Sequence, residues 1–289
     1  GSISYKNLIN DVQIGTSILV NDGLIELKVE KVGDTDIVCR VINGGVISDR
    51  KAINVPGVHL SLPFLSDVDR RDLEFAMKTG FDFFALSFVR CAEDVLEVRR
   101  LQKEHNNTSK LIAKIESQEG VENLDAIIDV ADGIMVARGD MGVEIPFEKV
   151  PVVQKDMISK CLKSGKFVIV ATQMLESMTH NPRPTRAEVN DVANAIFDQT
   201  SAVMLSGESA AGDYPVEAVK TMSRICHEIE KTTTTGKFEI TYNGSNLASS
   251  IACAACSIAS VINADAIIPV SLSGSTIRKV SGFRPNINI

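Results

Sequence analysis

The chain has 289 residues, 44% of them apolar, and 30 Lys+Arg against 37 Asp+Glu give a formal net charge of -7. That length holds one large or two to three modest domains with a sizeable core. The acidic balance, with basic residues dispersed, argues against a nucleic-acid platform or a binder of anionic membranes. No apolar run reaches the length of a membrane span, and the start shows no charged-then-apolar export signal, so the expected location is the cytoplasm. Six scattered cysteines, mostly inside apolar segments, read as reduced core residues. Cys253-Ala-Ala-Cys256 has redox-motif spacing, but its alanine- and isoleucine-rich surroundings favour helix packing. Gly1-Ser2 resembles the scar of a tag-removing protease and is set aside.

Residues 3 to about 55 read as a small antiparallel β module. Thr16-Ser-Ile-Leu-Val20 and Leu24-Ile-Glu-Leu-Lys-Val29 alternate around Asn21-Asp22-Gly23, a hairpin signal, and Asp36 to Ile42 supplies a third strand. Asp22 is read as a turn former, with a functional role as the alternative. Asn54-Val-Pro-Gly57 is the exit. From residue 65 the grammar changes. Ser66 caps a helix with an acidic first turn that Gly80 ends. Then βα units repeat: strand 82–89 with a helix near 92–104, strand 111–115 with a helix near 121–130, strand 134–137 with a helix near 149–163, strand 167–171 with a helix near 185–198, and strand 201–205 with a helix near 215–231. Val189, Val192, Ala193, Ile196 and Phe197 form one apolar stripe on the fourth helix. Strands apolar on both faces, each followed by a one-sided helix, predict a parallel sheet covered by helices. Thr232 to Gly236 reads as a polar connector. A helix from Asn246 to about Ile262 and a strand Ala266 to Val270 follow it.

Each of the five strands ends in polar groups: Ser87 and Arg90, then Lys114 and Glu116, then Arg138-Gly139-Asp140, then Thr172, then Ser206 and Glu208. In a barrel such ends converge on one mouth, where barrel enzymes place their chemistry. No Gly-x-Gly-x-x-Gly follows a strand, which argues against a dinucleotide site. Lys114 and Glu116 lie two apart on an apolar strand and so face one way. Asp140 brings a second carboxylate from the next strand end, and the pair suits Mg²⁺ or Mn²⁺. A zinc site is improbable without His or Cys ligands there. Lysine beside such a metal serves a transferring phosphoryl group or a forming enolate. The turn at Gly139 and Asp140 offers N–H groups, with Thr172, to a small carboxylate; taken alone, Thr172 reads equally as a turn cap. Ser271-Leu-Ser-Gly-Ser-Thr276, between a strand and a helix start, suits a phosphate or a plain capped turn.

Lys114-Ile-Glu-Ser-Gln-Glu-Gly120, Met135 to Pro146, Ala171-Thr-Gln-Met174, Asn181 to Glu188, Asp191 to Asp198 and Val203 to Gly212 together resemble the pyruvate kinase family, over about residues 3 to 289. The resemblance implies an α/β fold of the (β/α)8 TIM-barrel type, with strands 4–8 present. It implies a partial β-barrel lid domain at 3–57, a partial catalytic barrel at 58–231 and a partial α/β regulatory domain at 232–289. It further implies phosphoryl transfer from phosphoenolpyruvate to ADP, giving ATP and, after protonation of the enolate, pyruvate. Lys114 matches the lysine that stabilises phosphoryl and enolate, and Glu116 and Asp140 match the ligands of Mg²⁺ or Mn²⁺. Gly139, Asp140 and Thr172 match the substrate-carboxylate site, with Thr172 near proton delivery. Lys51 matches a nucleotide-contacting lysine. Arg138, Ser206 and Glu208 fall in a supporting polar network, while Ser271, Ser273, Gly274, Ser275 and Thr276 resemble a loop for a sugar-phosphate effector.

K⁺ and a homotetramer are expected from the family. Three barrel strands that begin other members are not in this sequence; they carry an arginine, an asparagine, a serine and an aspartate for nucleotide, phosphate and monovalent cation. The resemblance thus implies part of the enzyme. The alternatives are a metal-dependent aldolase or lyase acting on a pyruvate enolate, which Lys114, Glu116 and Asp140 would also serve, and a silent fragment that only associates with partner chains. The β module and the wording around Arg183-Pro-Thr-Arg186 favour the kinase.

Overall fold

The computed structural model describes residues 2–49, 51–235, 246–285 and 287–289, with backbone only for 232–235. A single helical turn, α1 (Leu8–Asp11), precedes β1 (Ser17–Val20), β2 (Ile25–Val32), β3 (Ile37–Asn43) and β4 (Ile53–Asn54). Then come α2 (Asp67–Thr79), β5 (Phe83–Leu86), α3 (Ala92–Glu104), β6 (Lys110–Ile115), α4 (Gln118–Glu122), α5 (Leu124–Val130), β7 (Gly133–Ala137), α6 (Arg138–Glu144) and α7 (Val150–Ser164). The remainder is β8 (Phe167–Ala171), α8 (Arg186–Phe197), β9 (Ala202–Val203), α9 (Gly207–Ala210), α10 (Pro215–Thr235), α11 (Leu247–Val261) and α12 (Ser275–Gly282). The chain divides into two compact units, residues 1–131 with 137–153 and residues 132–136 with 154–289.

In the first unit the β module is an antiparallel sheet of order β3-β2-β1-β4. Asn21, Asp22 and Gly23 all adopt left-handed backbone. Three such residues in a row accomplish the reversal, so β2 starts at Ile25 rather than Leu24. Leu8, Val12, Ile18, Val29 and Val55 form the core of this module. Beyond it, Ser66 and Asp69 close a reciprocal capping box at the start of α2, and Gly80 ends that helix at φ 84°. β5 and β6 pair in parallel, Phe83 opposite Lys110 through Leu86 opposite Ala113. Leu111, Ile112, Ala113 and Ile115 of β6 are buried, so both strand faces are covered. The helix expected near 121–130 is two helices. Asn123, at φ -93° and ψ 10°, separates them and donates its side-chain amide to the Arg90 carbonyl at 2.9 Å.

β7, which belongs to the second unit but for Ala137, is buried along its whole length, and in the second unit β8 pairs with β9 in parallel. The strand expected over 201–205 is two residues long. α8 buries Val192, Ala193 and Ala195, while Val189 and Phe197 of the expected stripe are exposed. α10 runs to Thr235, so the threonines expected to form a connector prolong a helix that is already nucleated; Gly236, the end of that connector, lies outside the described residues. α11 starts at Asn246, whose side chain accepts from the Ser249 N–H. Cys256 packs with Ala252 and Val280, and none of the six cysteines forms a disulfide among the described residues. The strand expected at Ala266 to Val270 reduces to one bridge, Ala266 with Asn288. Ile268 and Val270 are exposed, because among the described residues no neighbouring strand pairs with them. No described helix is long and apolar enough to cross a membrane.

Glu188 shows how one carboxylate pins a helix start. It accepts from the N–H and hydroxyl of Ser177, at 2.7 and 2.6 Å, and from those of Thr185, at 2.7 and 2.9 Å. Burial pushes its pKa up, but these bonds to the charged form more than reverse the effect, leaving it below the ordinary value. A depressed carboxyl pKa stabilises the fold above the unfolded value of about 4.3, and this stabilisation disappears as pH falls through the folded value. Glu188→Ala is therefore expected to cost about 1 kcal/mol at pH 7, the scale of a lost cap, and less at pH 3. Denaturant unfolding at both pH values measures the difference; an equal loss at each would contradict the assignment.

Candidate active site

The parallel pairing of β5 with β6 puts their carboxyl ends side by side, and the polar residues there engage one another. Lys114 Nζ lies 2.8 Å from Glu116 Oε1 and donates to Ser87 Oγ at 2.9 Å. The other Glu116 oxygen, Oε2, accepts the Phe88 N–H at 2.6 Å, and the Val89 N–H pairs with the Lys114 carbonyl. The Glu116 side chain is 1% exposed and that of Lys114 24%, so a buried carboxylate is matched by an ammonium that still reaches solvent. Phe88 sits at φ 53°, which is costly for a bulky residue. Its bond to Glu116 holds that turn. Immediately beyond, a Cβ on Gly120 would stand 2.6 Å from the Val89 carbonyl oxygen, so only glycine lets α4 approach this turn so closely.

Arg138, Gly139 and Asp140, expected as a flexible turn, form the first turn of α6. The stretch is therefore helical rather than an irregular turn, and its N–H groups lie at the partially positive end of a helix. Asp140 is half-buried and, with Asn54, Ser87, Phe88 and Glu144, lines a cleft of about 1230 Å³. Lys51 is exposed just before β4. Arg90, by contrast, is structural. Its guanidinium holds Asp94 and donates to the Leu60 and Leu62 carbonyls; burial lowers its pKa, and the Asp94 carboxylate together with the Glu119 charge more than reverses this.

The remaining sequence-expected residues belong to the second unit. Thr172 and Gln173 take left-handed backbone, φ 69° and 51°, directly after β8, and the Thr172 hydroxyl donates to the Ala171 carbonyl at 2.6 Å. Left-handed backbone is a genuine outlier for a β-branched residue, and such strain clusters at functional positions. Glu208 is fully buried: Oε1 accepts the Leu175 N–H at 3.0 Å and Oε2 the Ser206 N–H at 2.7 Å. It ties the loop after β8 to the start of α9. Gly274, at φ 72°, precedes α12, no side chain caps that helix, and Arg278 donates to the Ser273 carbonyl. Ser273, Ser275 and Thr276 are exposed there, with Ser271 half-buried.

Sequence reasoning missed Glu144. It accepts from Asn54 Nδ2 at 2.9 Å, and burial raises its pKa, with the Asn54 bond opposing and the Asp140 charge assisting. The fit to a divalent cation rests on donor chemistry. Glu116 and Asp140 are hard oxygen donors, and among the described residues no group of three or more His, Cys, Asp or Glu assembles. Two carboxylates completed by water and substrate oxygens match the habit of Mg²⁺.

A family profile described as pyruvate kinase, barrel domain, matches residues 2–219, and one described as pyruvate kinase, alpha/beta domain, matches residues 249–289. A pyruvate kinase of Clostridium perfringens is 51% identical over 299 aligned residues, covering all of this chain and 62% of that protein. A pyruvate kinase of Staphylococcus aureus is 49% identical over 293 aligned residues, again covering the whole chain and 50% of the relative. The crystal structure of a pyruvate kinase from Cryptosporidium parvum superposes with a TM-score of 0.89 at 44% identity, covering 98% of this chain and 61% of the other. The chain thus spans between half and two thirds of the length of these relatives. These matches leave the aldolase or lyase reading without support. With a barrel-domain profile over most of its length and near one-half identity throughout, the chain belongs to the pyruvate kinase family.

Proposed function

We propose that this protein transfers the phosphoryl group of phosphoenolpyruvate to ADP, yielding ATP and, with uptake of one proton, pyruvate, as the glycolytic step its relatives' name denotes. The observation that carries the reading is the fixed ammonium of Lys114, set between Ser87 and the buried Glu116 yet open to solvent. An ammonium held in advance loses little by reorganising when charge develops on phosphoryl and then enolate oxygens. Glu116 and Asp140 hold Mg²⁺ or Mn²⁺ in this reading. When bound, the cation supplies further positive charge to the migrating group. Gly139, Asp140 and Thr172 take the substrate carboxylate, with Thr172 on the side of proton delivery, and Lys51 contacts the nucleotide. Arg138, Ser206 and Glu208 support them.

The finer assignments follow family correspondence. Residues 3–57 serve as the lid domain, 58–231 as the catalytic barrel and 232–289 as the regulatory domain. K⁺ is the monovalent cofactor, and the assembly is a cytoplasmic, allosteric homotetramer. Ser271, Ser273, Gly274, Ser275 and Thr276 take a sugar-phosphate effector; the uncapped start of α12 supports this assignment.

Incubating the purified protein with phosphoenolpyruvate, ADP and Mg²⁺ is expected to yield pyruvate, and a chelator is expected to stop it. A folded protein that binds Mn²⁺ yet forms no pyruvate would overturn the proposal in favour of a fragment that only associates with partner chains.

A further inference from the structure

α6 carries Asp140 in its first turn and Glu144 as its last residue, one helical turn further on. Glu144 accepts a 2.9 Å hydrogen bond from the side chain of Asn54, which is 8% exposed and ends β4, the last strand of the β module. The neighbouring residue on α6 also stands close to the same module. A Cβ on Gly23 would lie 3.6 Å from Val143 Cγ1, so the β1–β2 turn passes close to this helix. α6 is only seven residues long, too short to hold its place by its own helical stability. Its seat is therefore supplied by packing and by bonds to its neighbours: Met141 is fully buried in its middle, and at its end Asn54 holds Glu144.

We infer that Glu144 is a positioning residue for the cation site: by locking Asn54 it fixes the axial position and rotation of α6, and hence of the Asp140 carboxylate. The inference rests on Asp140 being a metal ligand, as proposed above. It gives the β module a task besides covering the cleft, since any movement of that module that strains the Asn54–Glu144 bond is transmitted to Asp140. The chemistry the positioning role requires of Glu144 is that of a hydrogen-bond acceptor. Asn54 donates an amide N–H, and a glutamine carbonyl at position 144 can accept it in the same place.

The test measures Mn²⁺ affinity by electron paramagnetic resonance on the intact protein, without substrates, beside pyruvate formation. Glu144→Leu and Asn54→Leu are each expected to weaken Mn²⁺ binding by about ten-fold, the lower end for residues that orient metal ligands. Glu144→Gln is expected to bind as the unsubstituted protein does. The double variant Glu144→Leu/Asn54→Leu is expected to be no weaker than either single variant, because both remove the same bond. Glu144→Gln binding as poorly as Glu144→Leu would mean that the charge acts directly, and would overturn the inference; so would additive losses in the double variant. Should Glu144→Leu not fold, Asn54→Leu decides alone, and unchanged affinity in it counts against the bond. Absence of pyruvate from the unsubstituted protein bears on the proposed reaction, whereas the ranking of Mn²⁺ affinities among variants bears on the role of Glu144.

Discussion

Lys114→Met is expected to lower kcat by at least about 100- to 1000-fold, the scale of removing one preorganised group from developing negative charge. Methionine keeps the length and apolar stem of the side chain and deletes only the ammonium, so the apolar packing around Ile115 is kept, at the cost of leaving the buried Glu116 carboxylate without its cation until a metal binds. Glu116 retains its bond from the Phe88 N–H, and its Oε1 loses the cation that engages it at 2.8 Å. Mn²⁺ affinity is therefore expected to hold or rise, since a competing cation has gone. This opposite movement of turnover and metal binding separates loss of the reacting charge from general damage, which would depress both. Circular dichroism and Mn²⁺ titration on the same sample provide the control. Turnover near that of the unsubstituted protein would remove Lys114 from the chemistry.

The strand-end residues were readable from sequence because two local rules fix them. Alternation along β6 sends Lys114 and Glu116 to one side, and apolar neighbours bury the strand that carries them. The cap at Ser66 was readable because it stands directly before the acidic first turn it serves. α6 was not. Seven residues with two glycines give too little periodicity to distinguish a helix from a turn. The Asn54–Glu144 bond joins residues ninety positions apart, so nothing near either residue announces it. Ala266 to Val270 failed in the other direction. Its β-branched and apolar side chains favour a strand, but a strand also needs a partner, which propensity does not record. Glu208 was legible as a polar residue after β9, while its actual work, bonding two backbone N–H groups, became visible only with the loop after β8 in place.

That work makes Glu208→Gln a harsher change than its similar shape suggests. The carboxylate is fully buried and uses one oxygen for the Leu175 N–H and the other for the Ser206 N–H. An amide has one carbonyl oxygen; whichever N–H it serves, its own NH₂ group faces the second, donor against donor. Each buried donor left without an acceptor costs about 1–3 kcal/mol, so Glu208→Gln is expected to lose at least that much and Glu208→Ala, which strands both donors, about 2–6 kcal/mol. Denaturant midpoints give these losses directly, provided the slope with denaturant is unchanged. The loop that Glu208 holds begins with Thr172 and Gln173 in left-handed backbone, a strained arrangement that persists only while its surroundings enforce it. Relaxing the clamp is therefore expected to move Thr172 before it unfolds the protein; with Thr172 at the substrate carboxylate, as proposed above, the KM for phosphoenolpyruvate in Glu208→Gln is expected to rise at temperatures well below the unfolding transition. A Glu208→Gln protein as stable as the unsubstituted one, with an unaltered KM, would show that the buried carboxylate does not hold this loop.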